Sequence, residues 1–515
     1  MRMKIEMNAR KYTVIDIGLA VWVALLFLLS RGYIFNSGDT VEPLLLVYHA
    51  LDPSLYASDL YVSAAKDIFT VRYYFVHLIV FLGKYVGVAS VCFWGTFLSL
   101  FFSTLGLIKV SKLLCEQRWT AYLVPFLLSF IFLNWTIGGN VIQYNLFIPS
   151  NVAKAMSIWG FYFLIQKRYL TSAMLIGVAG LFQILVSLQL AILILGFFII
   201  RLQFKSIWVW GLGWFVFVSP MLVPILYRQF GVQVNPKDLT NFYHLLYEFR
   251  NPQHYLPHLF PVKDYLKLTI LLFGGMMSWV FLAPKSQKFV FTFGGLIILG
   301  LLSYTLLLEV FKVDAIGKLQ FFKTTLWLNA ICVIGISLIL EQILSRFVSK
   351  PIIVLLAFIL PLGWMLKDHF LHQVPIAFDH RSEEQLELSD IHLWAKKHTD
   401  LDAVFSTFVR DESFECESQR TVFSMLPPII HEPWFLEEWY QRFHLQYGVV
   451  DTIYDLHKMR QMADQYYDSG LWIGAVGPDY FVMPKGKSFE HAVVVFTTRH
   501  FELLQNLKAD RKHKK

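Results

Sequence analysis

About eleven apolar stretches fill the first 367 residues, and the gaps between them differ sharply in chemistry. Gaps on one side are plain basic turns: Lys109, Lys112 and Arg118; Lys167 and Arg168; Arg201 and Lys205; Lys285 and Lys288; Arg346 and Lys350. Gaps on the other side carry acids, amides and isolated cations. A bilayer core about 30 Å thick takes about 20 apolar residues as a helix. The stretches therefore read as spans near 13–35, 89–109, 119–137, 151–166, 169–183, 184–201, 206–227, 264–283, 287–308, 323–343 and 351–367. The 169–201 stretch is either two short helices or one bent one. Cationic turns stay on the cytoplasmic side, and Arg2, Lys4, Arg10 and Lys11 put the N-terminus there too. The expectation is an α-helical polytopic membrane protein of about eleven transmembrane helices, with the chain after residue 367 outside.

One segment decides this orientation. Residues 71–88 are apolar enough to span, yet counting them would place every later basic turn outside. They are expected to form a helix in or against the outer leaflet, broken at Gly83-Lys84. Tyr73, Tyr74, Phe75 and Tyr85 are the aromatic residues that favour an interface.

Composition agrees. Charged residues make up 16% and hydrophobic ones 56%, against about 25% charged in a soluble domain. The net charge of +8 sits largely in turns beside apolar segments and in the 508–515 tail, so it points to membrane lipids and to no nucleic acid. Four cysteines make neither a disulfide framework nor a zinc pattern. The first apolar stretch lacks a small-residue cleavage site and reads as a retained helix. Residues 1–367 form the expected membrane domain, with 36–88 as its first outer loop. Residues 368–515 are charged and form an expected extracytoplasmic α/β domain. Its helices fall near 384–398 (apolar face Leu386, Leu388, Ile391, Trp394), 437–440 and 456–467. Its strands fall near 403–405, 480–483 and 492–496.

The outer gaps supply the candidate chemistry. Asp39, just past the first span, can take a proton from a hydroxyl. Its plain alternative is a solvated loop acid capping the helix that follows. Glu42 and Asp59 are candidate ligands for a Mg²⁺ or Mn²⁺ ion held against a diphosphate. Gly138-Gly139 followed by Asn140, Gln143 and Asn145 is either a polar cavity wall for sugar hydroxyls or a helix end and turn. Arg250 can grip phosphate through paired hydrogen bonds, and His254 can donate or carry a proton. Gln320 and Lys323 open the tenth span, where a cation either snorkels to headgroups or neutralises a lipid diphosphate. No Walker motif, G-x-S-x-G or H-E-x-x-H occurs in a credible setting.

This layout resembles the GT-C superfamily of polyprenyl-phosphate-dependent glycosyltransferases. The inner N-terminus, the acid in a large first outer loop and the interfacial helix after it carry the likeness. A closer resemblance is to a poorly characterised set of GT-C-like bacterial polytopic proteins. It is carried by Leu51–Tyr56 with Ser58-Asp59, Arg250–Tyr255, Leu319–Lys323, Leu393–Thr399 and Glu438–Arg442. That set tends to have His where Gln253 stands and Arg where Lys323 stands. The resemblance implies a multi-pass protein of the bacterial inner membrane that takes a polyprenyl-phosphate-linked donor on the outer face. Asp39 would be the catalytic acid, and Arg250, His254, Gln320, Lys323, Gln143 and Asn145 would be substrate or lipid-phosphate contacts. Two rivals remain: a non-catalytic envelope polysaccharide assembly factor, and a lipid or solute transporter. Transport predicts ionisable residues in mid-span, which are scarce here.

Overall fold

The computed structural model describes residues 2–116, 119–231, 236–426, 430–448 and 456–508. Arg118 and the 509–515 part of the basic tail lie outside the described residues. Contacts divide the chain into two units. The first gathers Met1–Tyr33, Cys92–Tyr227 and Gln253–His380; the second gathers Ile34–Val91, Arg228–Pro252 and Arg381–Lys515. The first outer loop thus groups with the C-terminal segment rather than with the apolar helices around it.

The first unit is helical and membrane-embedded in character. Among the described residues, six helices are long and apolar enough to cross a bilayer: Thr13–Arg31, Val88–Cys115, Phe204–Arg228, Pro284–Val310, Asp314–Leu344 and Lys350–His372. They match six of the eleven expected spans. The other five are shorter or more polar. The 119–137 stretch is helical only over Thr120–Phe126 and a wide π turn at Leu127–Ile131. Pro149–Ile165 has 17 residues. The 169–201 stretch is two helices, Tyr169–Phe182 and Ile184–Ile200, parted by extended backbone at Gln183 (φ −142°, ψ 95°). Val262–Trp279 carries Lys263, Asp264 and Lys267 within its first turns.

Buried charged side chains sit inside this unit. Asp16 is 1% exposed and accepts from Lys109 (2.7 Å) and Lys112. Lys154 is buried, and its Nζ donates to Val141 O (2.5 Å) and lies 4.3 Å from the Tyr144 ring centre. Glu341 is also buried. Lys109, Lys112, Lys154 and Glu341 stand within two turns of a helix end, whereas Asp16 lies midway along the Arg2–Arg31 helix, three residues into its apolar stretch.

In the second unit, the helix Tyr73–Val86 has 14 residues, which at 1.5 Å per residue spans roughly 21 Å, short of a bilayer core. Phe75, Val76 and Ile79 are its buried face, packed on the Val41–Leu51 helix. Phe81, Tyr85 and Val86 are 60–76% exposed, a second apolar face of the kind that meets lipid. The helix runs straight through Gly83-Lys84. The break falls at Gly87 (φ 82°), a conformation that side chains with a Cβ avoid.

The C-terminal segment holds a mixed five-stranded sheet: β1 (Val404–Ser406), β2 (Thr421–Val422), β3 (Tyr480–Pro484), β4 (Ala492–Thr497) and β5 (Phe501–Asn506), in the order β2-β1-β3-β5-β4. β1 runs parallel to β2 and β3, while β5 is antiparallel to β3 and β4. The helix Glu383–His398 begins with a reciprocal cap: Ser382 Oγ accepts from Gln385 N (3.3 Å), and Gln385 Oε1 accepts from Ser382 N (2.9 Å). Its buried face is Leu388, Ile391, His392 and Ala395. Leu386, expected inside, is exposed.

Candidate functional site

Asp39 sits on a tight turn in the second unit. Thr40 Oγ1 accepts from Ser37 N (3.0 Å) and donates to Ser37 O (2.8 Å). This closes the 3-10 turn Gly38–Thr40 and launches the Val41–Leu51 helix. Asp39 is exposed at its tip. One turn into the helix, Glu42 is largely buried and pairs with Arg72 at 2.9 Å. Arg72 also lies in the field of Asp39.

Glu412 reaches the same turn from the loop after β1. A Cβ on Gly38 would stand 3.6 Å from Glu412 Oε2, and Gly38 has φ +58°. Glu412 Oε1 accepts from the Arg460 guanidinium. Burial pushes the Glu412 carboxyl above the usual carboxylate range; Arg460 opposes this, Asp39 adds to it, Arg250 opposes it and Asp411 adds. Two residues chosen from the sequence, Asp39 and Arg250, thus act on one carboxyl group. Arg250 is 7% exposed. Its guanidinium donates to Leu426 O and to Asn251 Oδ1 (3.3 Å), and its Cζ lies 5.2 Å from the Trp439 ring centre. It is built into the packing around Phe249 and Trp439 rather than standing open for a phosphate.

Asp59 is 3% exposed and caps the short Leu60–Ala65 helix, its Oδ1 accepting from Val62 N at 2.7 Å. Its carboxyl lies in the electrostatic reach of that of Glu415, 1% exposed. Two ionised carboxylates cannot share such a site. Burial, and then each other's charge for Glu415, push both up; Glu415 rises well above the usual range. Glu415 Oε1 accepts from Val422 N (3.2 Å), and its Oε2 has no hydrogen-bond partner. Tyr56 OH donates to Glu415 O (2.8 Å). A cavity of about 20 Å³, lined by Asp59, Glu415, Ser424, Trp439 and Arg442 among others, has room for one water.

With Glu42 on Arg72 and Asp59 on Glu415, the acids expected to hold Mg²⁺ or Mn²⁺ do not fit an ion together. Among the described residues, no group of three or more His, Cys, Asp or Glu side chains is placed to hold a metal.

The sequence reading missed a second acid group. His392 is fully buried between Glu417 (Nδ1 to Oε2, 2.9 Å) and Asp411 (Nε2 to Oδ2, 2.9 Å). Burial alone would lower its pKa; the carboxylate of Asp411, then that of Glu417, outweighs burial and takes it to about 9. The imidazole is thus cationic at neutral pH and donates to both acids. Its sequence signal was slight: one histidine on a helix face, at the spacing of Leu388, Ile391 and Ala395. Arg420 closes the C-terminal end of that helix, donating to Lys396 O (2.8 Å), Thr399 O (2.7 Å) and Thr399 Oγ1 (3.1 Å).

The remaining candidates belong to the first unit. Gln143 is buried, accepting from Ser129 Oγ (2.6 Å) and donating to Thr104 Oγ1 (3.0 Å). Asn145 donates to Arg31 O and Gly32 O (3.0 and 2.8 Å). Both amides serve as internal cross-links. His254 Nδ1 donates to Gly138 O (3.0 Å), and a Cβ on Gly139 would stand 2.6 Å from its ring. A Cβ on Gly138 would meet Phe322 C at 3.1 Å and Lys323 N at 3.2 Å. The glycine pair is therefore a turn (φ +83° and +65°) pressed against His254 and the start of the Lys323 segment. Gln320 is left-handed (φ +44°) and buried. Its carbonyl accepts from Gln189 Nε2 (3.1 Å), while its own Oε1 has no hydrogen-bond partner. His254, Gly138-Gly139 and Lys323 do come together.

Comparison with known proteins adds one match. Residues 387–445 fit a family model described as a domain of unknown function, DUF6798. His392, Asp411, Glu412, Glu415, Glu417, Arg420 and Arg442 all fall within it. No curated protein matches the chain.

Proposed function

We propose that this chain is a GT-C-type transferase of the bacterial inner membrane that moves a sugar or related group from a polyprenyl-phosphate carrier to an acceptor hydroxyl on the outer face. In this reading it has eleven spans, a cytoplasmic N-terminus and an extracytoplasmic C-terminal segment. The observation that carries the reading is the Asp39 turn: an exposed carboxylate held on a fixed turn, with the charges of Arg72, Glu412 and Arg460 close by. Asp39 accepts the acceptor's proton as its oxygen attacks the anomeric carbon. The bond to the lipid phosphate breaks, and the electron pair leaves with the phosphate. Stabilising that developing charge is worth several kcal/mol where donors are preorganised. No step requires a metal.

The test is Asp39→Asn. Mass spectrometry of lipid-linked sugars and envelope glycans should show the product falling at least about a hundredfold, a common cost of removing a general base, at unchanged protein level. Unchanged glycans would refute the reading. The rival favoured by a specific observation is the non-catalytic assembly factor, because Glu42, Asp59 and Arg250 are all engaged in holding the second unit together. A scaffold tolerates Asp39→Asn.

A further inference from the structure

We propose that the cavity lined by Asp59, Glu415 and Ser424 is a calcium site that fastens the 34–91 loop to the C-terminal segment.

Three separate stretches of chain supply its oxygens: the turn before the Leu60–Ala65 helix, the helix Phe414–Ser418, and the residues just after β2. All three acidic or hydroxyl side chains line one space of about 20 Å³, the room of a single water-sized particle. Groups that line so small a space meet the same occupant. Asp59, Glu415 and Ser424 are 3%, 1% and 4% exposed. Asp59 spends Oδ1 on Val62 N (2.7 Å), and Glu415 spends Oε1 on Val422 N (3.2 Å). Glu415 Oε2 and Ser424 Oγ have no hydrogen-bond partner. Buried polar atoms are nearly always satisfied, so two such oxygens on one cavity point to a bound particle.

The chemistry of the walls selects that particle. The titratable residues among them are Asp59, Tyr61, Glu415 and Arg442, with no histidine or cysteine. Carboxylate and hydroxyl oxygens suit a hard cation, not zinc or copper. Two carboxylates held together out of water need a proton or a cation to offset their repulsion, and one divalent ion neutralises both. Magnesium dehydrates reluctantly and demands an octahedron, which a space for one particle does not allow. Calcium accepts irregular sets of oxygens. Arg442 is the opposing charge. Its Nε is committed to Glu438 (2.8 Å), and its Cζ lies 5.4 Å from the Phe423 ring centre, so it weakens the site without filling it. Three side-chain oxygens beside a cation place the affinity in the class of extracellular calcium modules, with dissociation constants of about 0.1–1 mM. Such a site fills where calcium is abundant, as on the extracytoplasmic side proposed above.

The test uses full-length protein in phosphatidylcholine nanodiscs at pH 7.5, with hydrogen exchange by mass spectrometry on peptides covering 56–65 and 411–426. Moving from chelator to about 5 mM calcium chloride should slow exchange in both peptides about tenfold, the effect of a dissociation constant of about 0.5 mM. Magnesium chloride at the same concentration should slow it less than about twofold. Ser424→Ala removes an oxygen that holds no hydrogen bond, so its exchange in chelator should stay within about twofold of wild type. Its calcium effect should fall to about threefold or less, and Glu415→Gln should lose the calcium effect altogether. No slowing by calcium in the wild type, equal slowing by magnesium, or a full calcium effect in either variant overturns the site.

Discussion

Raising the pH should loosen the C-terminal sheet through a single residue, His392. In the folded chain its imidazolium bridges Asp411 and Glu417, both at 2.9 Å, with no solvent exposure. Its pKa rises from 6.5 to about 9. A pKa unit is worth 1.36 kcal/mol, so the bridge contributes on the order of 3 kcal/mol. Because the folded pKa is the raised one, this stability is complete below about pH 6.5 and lost as pH climbs through 9. Glu417 behaves oppositely. The hydrogen bond and charge of His392 outweigh burial and hold its carboxyl low, so its share disappears on acidification. The assay is hydrogen exchange by mass spectrometry on peptides covering 383–422, corrected for intrinsic exchange at each pH. The open population should rise about a hundredfold between pH 6 and pH 9.5. His392→Gln should abolish the pH dependence. It should also destabilise the segment by about 3 kcal/mol, because a neutral amide leaves buried carboxylates uncompensated. A flat profile in wild type, or His392→Gln as protected as wild type at pH 6, would refute the reasoning.

The Asp59–Glu415 pair runs the other way. Its raised carboxyls favour the fold at low pH and cost stability as pH rises past about 4.5, so Glu415→Gln should raise the melting temperature at pH 8, and a lowered one would contradict the upward shift of the pair. At Glu42–Arg72, Glu42→Gln alone should destabilise by about 1–3 kcal/mol, and Arg72→Met added to it should recover part of the loss; strict additivity in thermal melts would argue against the pair. Gly139→Ala should cost more than about 1 kcal/mol from its positive φ and the His254 ring, with His254→Ala relieving only the ring's share; full recovery in the double variant would show that backbone conformation is irrelevant there. Alkaline phosphatase fused after Phe370 should be active if that point is extracytoplasmic, and inactivity would overturn the proposed topology.

The sequence made some of this plain and concealed the rest. The long apolar helices were legible because they need only their own composition. The helix at Glu383–His398 announced itself through Ser382 and Gln385, a local capping pair. The helix expected over 71–88 is present as Tyr73–Val86, but its break was put at Gly83-Lys84 and falls at Gly87 instead, because composition cannot tell which glycine adopts positive φ. β2 and β5 were missed: Thr421–Val422 is two residues long, and Phe501–Asn506 mixes Glu502, Gln505 and Asn506 into its pattern. The partners of the acids were not legible. Asp39 and Asp59 stood out beside an apolar span, yet Glu412 and Glu415 lie about 370 and 356 positions further on, beyond the reach of any local pattern. Arg250 shows the opposite error. A cation in a polar loop reads as a ligand contact, whereas Trp439 and Leu426, distant in sequence, made it part of a core.

Tyr56 and Glu415 are joined across 359 positions, and this has a consequence for biogenesis. Synthesis proceeds at roughly 5–20 residues per second, so the 34–91 segment waits for something like 20 to 70 seconds before the strands and helices that enclose it have left the ribosome. Throughout that interval Asp59 and Tyr56 have no counterpart, and the Tyr73–Val86 helix of the same unit lacks the C-terminal segment it groups with. A nascent chain cut short anywhere before the last hundred residues would thus present an unfinished loop, marked for quality-control proteolysis, even with every membrane helix already in place.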